Sequence, residues 1–248
     1  LNDPARRETL PQSEPPEARI MALNGTALKY GEWVRLLSED SDHLRSSPAK
    51  GYWRLAPHYV CQITDCACSL ASATMVINAL SGARLREPGS QILTQQELLA
   101  AVNSDVWQKG SGSDGGPGVT LTELGKLLQR SLEASDLRAT TAVVPLGVDA
   151  DAAGAASRLR REMEDCEHGR QLVIANYYSE TVVGSGDYGH FSPVAAFDAK
   201  QDRVLVMDVW RYEYEPYWVP VEKLVAGMMT SSNVADEPRG YLLIEHES

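Results

Sequence analysis

No apolar run in this 248-residue sequence approaches the ~20 residues that a bilayer span requires. The longest, such as Val204 to Val209, are only strand-sized. Positive charge is scarce as well: 23 Lys and Arg stand against 34 Asp and Glu, a formal net charge of -11. Such a surface repels phosphate backbones and anionic lipid, which argues against nucleic acid as a natural partner. Cysteine is limited to Cys61, Cys66, Cys68 and Cys166. Three of these crowd into one short stretch, whereas a disulfide framework spreads its cysteines along a small chain. Cysteine usage therefore leaves the compartment open. No His or Cys pair has structural-zinc spacing, and there is no internal repeat. The sequence opens on Leu1 rather than methionine. A removed signal peptide and a trimmed chain both fit, and the expectation leans towards an exported or periplasmic protein over a cytoplasmic one.

What is present is an ordinary globular mixture, 43% hydrophobic and 23% charged, long enough for a substantial core. Residues 1–24 are rich in Pro, Glu and Arg and read as a poorly ordered arm. Leu28 to Leu37 has apolar spacing suited to a short helix, and Tyr52 to Tyr59 reads as an extended approach. From Cys68 to Leu80, helical spacing places Ala71, Met75, Val76, Ala79 and Leu80 on one face, with Gly82 as a stop. Thr94 with Glu97, and Thr120 with Glu123, are capping-box patterns ahead of two further helices. Between them Gly110 to Gly118 reads as a flexible loop. Asp151 to Asp165 is a charged, alanine-rich helix. After Gly169 the pattern changes: Gln171 to Tyr177, Phe191 to Phe197, Arg203 to Val209 and Tyr241 to Glu245 read as strands, interrupted by a helix from Val221 to Met229. Segregated elements predict an α+β fold, a helical lobe over about 25–168 packed on an antiparallel strand-rich lobe over about 169–248.

Three residues can carry chemistry together. Cys68 opens a predicted helix, whose N-terminus supplies partial positive charge and unbonded N–H groups to a sulfur nucleophile. Gln62, six residues earlier, can bring a carboxamide to the same spot. A buried structural cysteine remains the alternative for Cys68 alone. Cys66-Ala67-Cys68 is a second alternative, a soft-metal pair. His190 follows Gly184, Gly186 and Gly189 and opens an apolar strand, a good setting for a general base; a structural histidine is the alternative. Asp208 ends the run Val204-Leu205-Val206-Met207 and can accept the imidazole N–H, or it can be a turn residue. The order Cys, His, Asp, on a helix start followed by strands, outweighs each signal taken singly.

In combination these segments resemble the phytochelatin synthase family, short bacterial type, within the papain-like cysteine peptidases. Gln62 stands at the papain-like spacing from Cys68. Tyr59-Val60-Cys61-Gln62, Ala71-Ser72 and Met75-Val76-Ile77-Asn78-Ala79-Leu80 are similar to the nucleophile segment. Gly189-His190-Phe191-Ser192-Pro193-Val194-Ala195-Ala196 is similar to the histidine strand, and Met207-Asp208-Val209 with Arg211-Tyr212, Tyr214, Pro216 and Trp218 to the aspartate strand and its sequel. The likeness covers roughly residues 25–245.

The resemblance implies a papain-like fold with Cys68, His190, Asp208 and Gln62 as catalytic residues. It implies cleavage of glutathione at its Cys–Gly bond through a γ-glutamylcysteinyl thioester, ending in hydrolysis or in transfer to a second glutathione to give phytochelatin. Asn176, Gly189 and Arg239 are its implied contacts to the γ-glutamyl part. No tightly bound cofactor is implied; Cd2+ or Zn2+ enters as glutathione thiolate complexes. The expected partners are glutathione, heavy-metal ions as thiolates and a second copy in a homodimer. Ser69-Leu70 departs from the family's Gly-Pro, and the acidic residue expected shortly before Arg239 is replaced by Ser232 or Asn233, with Asp236 as a substitute. A leader-peptide protease and a non-catalytic metal-thiolate binding protein are the competing readings.

Overall fold

The computed structural model describes residues 29–82, 87–112, 116–232 and 234–246. The arm at 1–24 lies outside them. The fold is α+β, built on one seven-stranded sheet in which every pairing is antiparallel. The strands are β1 (Arg35–Leu36), β2 (Ala139–Pro145), β3 (Gln171–Tyr178), β4 (Gly189–Asp198), β5 (Arg203–Val206), β6 (Tyr217–Pro220) and β7 (Gly240–His246), in the order β1-β6-β5-β4-β3-β7-β2.

The helices are α1 (Asp42–Ser46), α2 (Lys50–Leu55), α3 (Cys68–Leu80), α4 (Gln95–Val102), α5 (Asp105–Gly110), α6 (Leu121–Ala134), α7 (Ala152–Glu167), α8 (Ser179–Val183) and α9 (Val221–Met228). Leu172, Ile174, Phe191, Leu242 and Ile244 on one sheet face pack with α3, α4 and α6. Val173, Ala175, Val194, Val204 and Val206 on the other face pack with α7 and α9. This is period-two alternation in a sheet covered on both sides. It explains why the central strands read as continuous apolar runs.

Helix α3 is buried all round, from Cys68 to Ala79, rather than along one stripe. Leu70, Met75 and Ile77 are at most 1% exposed, and each such burial is worth roughly 1.5–3 kcal/mol. Both predicted capping boxes form, at Thr94–Glu97 and Thr120–Glu123, and Asp151 caps α7.

Four expectations need correction. Residues 30–37 form a turn and β1, not a helix: Gly31 N donates to Val183 O, and β1 pairs with β6. Residues 50–58 are helical, as α2 and a 3-10 turn, not extended. Here the cause is tertiary, since Ala49, in a left-handed conformation at the helix start, donates its N–H to Glu167 (3.1 Å). The described part of the glycine loop is pinned, with Gly118 N donating to Gly110 O (3.0 Å). Strands also arise at β2, inside the stretch read as helical, and at β6.

Glu167 is a structural hub. It accepts from the backbone N–H groups of Ala49 (3.1 Å) and Phe197 (2.7 Å) and contacts His43 (3.3 Å). Glu167→Ala leaves two buried N–H groups unsatisfied and is expected to cost about 2–4 kcal/mol. Urea unfolding followed by far-UV circular dichroism measures this; an unchanged midpoint refutes it.

Candidate active site

The segment ahead of α3 is held in place by backbone contacts. Gln62 N donates to Val209 O (2.9 Å), and the Tyr59 hydroxyl donates to Asp208 O. Buried Gln95 donates to Cys61 O (2.8 Å) and accepts from Ile63 N (3.3 Å). These bonds register the approach to Cys68 against the chain that leaves β5. Ala67, at the helix cap, has no capping side chain, so the first-turn N–H groups are not engaged by one. Ser72 Oγ donates to Phe191 O (3.2 Å), tying α3 to β4 one residue after the histidine.

The return from β3 to β4 runs through α8 and Gly184, at φ +100. A Cβ there would sit 2.5 Å from Gly31 N, so only glycine fits. His190, paired in register with Tyr177, then points its Nε2 at Asp208 Oδ1 (2.9 Å). Nδ1 is the ring nitrogen left to serve Cys68, which lines the same cavity as His190. Burial alone would lower the basicity of His190. The charge and hydrogen bond of Asp208, with Cys68, outweigh burial and push it up to about 10. Burial would raise Asp208, but the His190 charge and the donors around the carboxylate hold it below its usual value.

Cys68 and His190, with Asp208 behind the imidazole, border a cavity of about 260 Å³ whose wall holds the first two. Cys68 and His190 stand at one part of its wall; Asn176, Gly189 and Arg239 also line it. Asn176 donates to His190 O (3.2 Å). Arg239 is almost fully buried, with Thr230 and the Ser231 carbonyl as acceptors and its guanidinium 5.5 Å from the Tyr178 ring centre. Gly240, at φ +153, lets the chain pass Val144 closely, since a Cβ would lie 2.1 Å from Val144 O. At Gly189 a Cβ would come within 2.9 Å of Arg239 Nη2. Gln62 is buried but is not part of the wall; its Nε2 donates to Asp65 O (3.0 Å), and its Oε1 accepts no hydrogen bond among the described residues.

A phytochelatin synthase family model matches residues 32–241. The chain belongs to the phytochelatin synthase family. Curated relatives include a glutathione gamma-glutamylcysteinyltransferase of Schizosaccharomyces pombe, 28% identical over 206 residues, covering 82% of this chain and 45% of the relative. Glutathione gamma-glutamylcysteinyltransferase 3 of Lotus japonicus is 27% identical, covering 79% of this chain and 37% of the relative. Glutathione gamma-glutamylcysteinyltransferase 1 of Arabidopsis thaliana is 24% identical, covering 82% and 39%. The chain thus spans less than half the length of these relatives.

For this phytochelatin synthase family member, the Ser69-Leu70 departure has a local explanation. Ser69 Oγ accepts the indole N–H of Trp107 (3.0 Å), a buried donor that needs a partner. Leu70 is fully buried in the α3 core. The acidic residue among those lining the cavity is Asp65, not Asp236, which is exposed; Ser232 lines the cavity and Asn233 lies outside the described residues. Arg211 stacks over Tyr59 at 4.4 Å, beneath the aspartate segment, and Tyr212 is exposed.

The sequence reading missed Asp65 and the aromatic shell of the site: Tyr177, Tyr188, Trp210 and Tyr217. Tyr188 and Tyr177 both meet the His190 ring edge-on, at 6.0 and 5.7 Å. Their sequence signal is weak, because a tyrosine in or beside a strand is ordinary until the register is known. Cys66 lines the cavity, where burial raises its thiol, whereas Cys166 is wholly buried between α7 and β4. The four cysteines are free thiols.

Proposed function

We propose that the protein cleaves glutathione at its Cys–Gly bond, with Cys68 as nucleophile, His190 as acid and base, and Asp208 as the group that orients and charges the histidine. The observation that carries this reading is the relay itself: an imidazole held 2.9 Å from a buried carboxylate and lining one cavity together with a thiol at a helix start. A papain-like fold is part of this reading, supported by a thiol at a helix start beside a strand-borne histidine and its aspartate.

In the first half-reaction the Cys68 sulfur attacks the cysteinyl carbonyl carbon and His190 takes the thiol proton. First-turn N–H groups of α3 stabilise the oxyanion, joined by the Gln62 carboxamide once it turns from Asp65 O towards the cavity. The C–N bond breaks, His190 protonates the leaving glycine amine, and a γ-glutamylcysteinyl thioester remains on Cys68. Water then gives γ-glutamylcysteine, or the amine of a second glutathione gives phytochelatin. Arg239 suits a bidentate contact with the γ-glutamyl α-carboxylate, with Asn176 and Gly189 beside it. Cd2+ or Zn2+ enters as part of a glutathione thiolate substrate and needs no resident site.

The test is incubation with glutathione, with and without Cd2+ or Zn2+, and products read by mass spectrometry. Glycine and γ-glutamylcysteine are expected, with phytochelatin marking the transfer branch. No product under any condition removes glutathione as the substrate. Arg239→Met is expected to raise KM at least about ten-fold with a smaller change in kcat, because a charged hydrogen bond to substrate is worth about 1.5–3 kcal/mol. Initial rates against glutathione concentration decide this, and an unchanged KM removes Arg239 from the binding site.

A further inference from the structure

We propose that Tyr217, together with Tyr177, is a positioning residue that holds the Asp208 carboxylate in the orientation His190 needs. The inference rests on the catalytic reading above and extends it to two residues on strands flanking the relay.

Asp208 is 1% exposed. A carboxylate offers about four acceptor directions, and here four donors meet it. Oδ1 takes His190 Nε2 and Trp210 N, each at 2.9 Å. Oδ2 takes the hydroxyls of Tyr177 and Tyr217, each at 3.2 Å. The phenols come from β3 and β6, with β4 and β5 between them in the sheet, so they grip the carboxylate from two sides.

Their protons have other destinations. The two hydroxyl oxygens are 3.0 Å apart, and Tyr177 lies 3.4 Å from Ser192 Oγ. An anionic acceptor wins over a neutral one, so both protons turn to Oδ2 while Asp208 is ionised. Burial, the neighbouring phenol and the Asp208 charge push Tyr217 well above its ordinary value, and burial and Asp208 do the same to Tyr177. Both therefore stay protonated as donors. With Oδ2 fixed, the carboxylate cannot rotate, and Oδ1 stays aimed at the imidazole. The other ionisable groups that sense Asp208 are Tyr59 on the approach to α3, Tyr30 near β1 and Tyr188 before β4.

Tyr217→Phe removes one donor and keeps the ring. The 13Cγ resonance of Asp208 is titrated by NMR in a Cys68→Ala background, with and without Tyr217→Phe. The Asp208 midpoint is expected to rise by about one pH unit on loss of the donor. In the catalytically intact protein, kcat is expected to fall about ten-fold, KM to stay within about two-fold, and the acid limb of the pH profile to move up with the Asp208 midpoint. Simple loss of packing would lower the melting temperature without moving that midpoint. An unmoved midpoint overturns the proposal. The NMR measurement needs no turnover, so it stands apart from failure of the glutathione reading. If Tyr217→Phe does not fold, Tyr177→Phe is read by the same titration with the same two outcomes.

Discussion

A Cys68→Ser protein is expected to release glycine from glutathione at least about a thousand-fold more slowly than the wild type, while melting at nearly the same temperature. The reasoning begins with position. Cys68 opens α3, is 8% exposed, and stands with His190 on the cavity wall. A hydroxyl is smaller than a thiol and fits the same space without overpacking, so the packing of α3 is largely retained. The chemistry changes more, since a hydroxyl gives up its proton far less readily than a thiol. Glycine release is measured by amino-acid analysis. A Cys68→Ser protein that keeps even a tenth of the activity would move the nucleophile elsewhere, with Cys66 the next thiol on the cavity wall.

Asp208→Asn is expected to lower kcat about 10³- to 10⁴-fold with little change in KM, because an amide can present an N–H to the imidazole and leaves its charge uncompensated. The substitution also alters stability in a pH-dependent way. His190 is raised from 6.5 to about 10, so the stabilisation from its charged form is complete below pH 6.5 and is lost as pH rises towards 10. Asp208 is lowered from 3.8, so its contribution is present above that value and is lost as pH falls through the lower, folded one. The gap in stability between wild type and variant should therefore be widest from about pH 4 to 6.5 and should narrow towards pH 10. Urea midpoints across that range test it. A gap that is flat with pH would mean that the buried pair is not ionic.

The parts of the fold written in local chemistry were legible. The capping boxes of α4 and α6, the Asp151 cap and the long apolar run of α3 each depend on residues within a few positions of one another. The central strands were legible as apolar runs. What escaped depends on distant partners. Helix α2 starts where Glu167, 118 residues away, accepts Ala49 N–H. β1 and β6 are two and four residues long and exist through their pairing. β2, an edge strand with only Val144 buried, shows weak alternation and ends in proline.

The site divides in the same way. The Cys68, His190 and Asp208 pattern was visible because each residue sits at a marked place, a helix start, a glycine-led strand and the end of an apolar run whose strand, β5, stops at Val206 rather than reaching Val209. Tyr177 and Tyr217 were invisible because their role depends on strand order, which brings β3 and β6 to one carboxylate across β4 and β5. Asp65 was overlooked because only the loop conformation before α3 turns it to the cavity.

The most direct measurement is the intact mass of the protein, quenched in acid within its first turnovers on glutathione. The account predicts an added γ-glutamylcysteinyl group on the wild type, mapped to Cys68 by peptide analysis, labile to hydroxylamine and missing from Cys68→Ser. Glycine release with no such adduct, or an adduct on another residue, would contradict it.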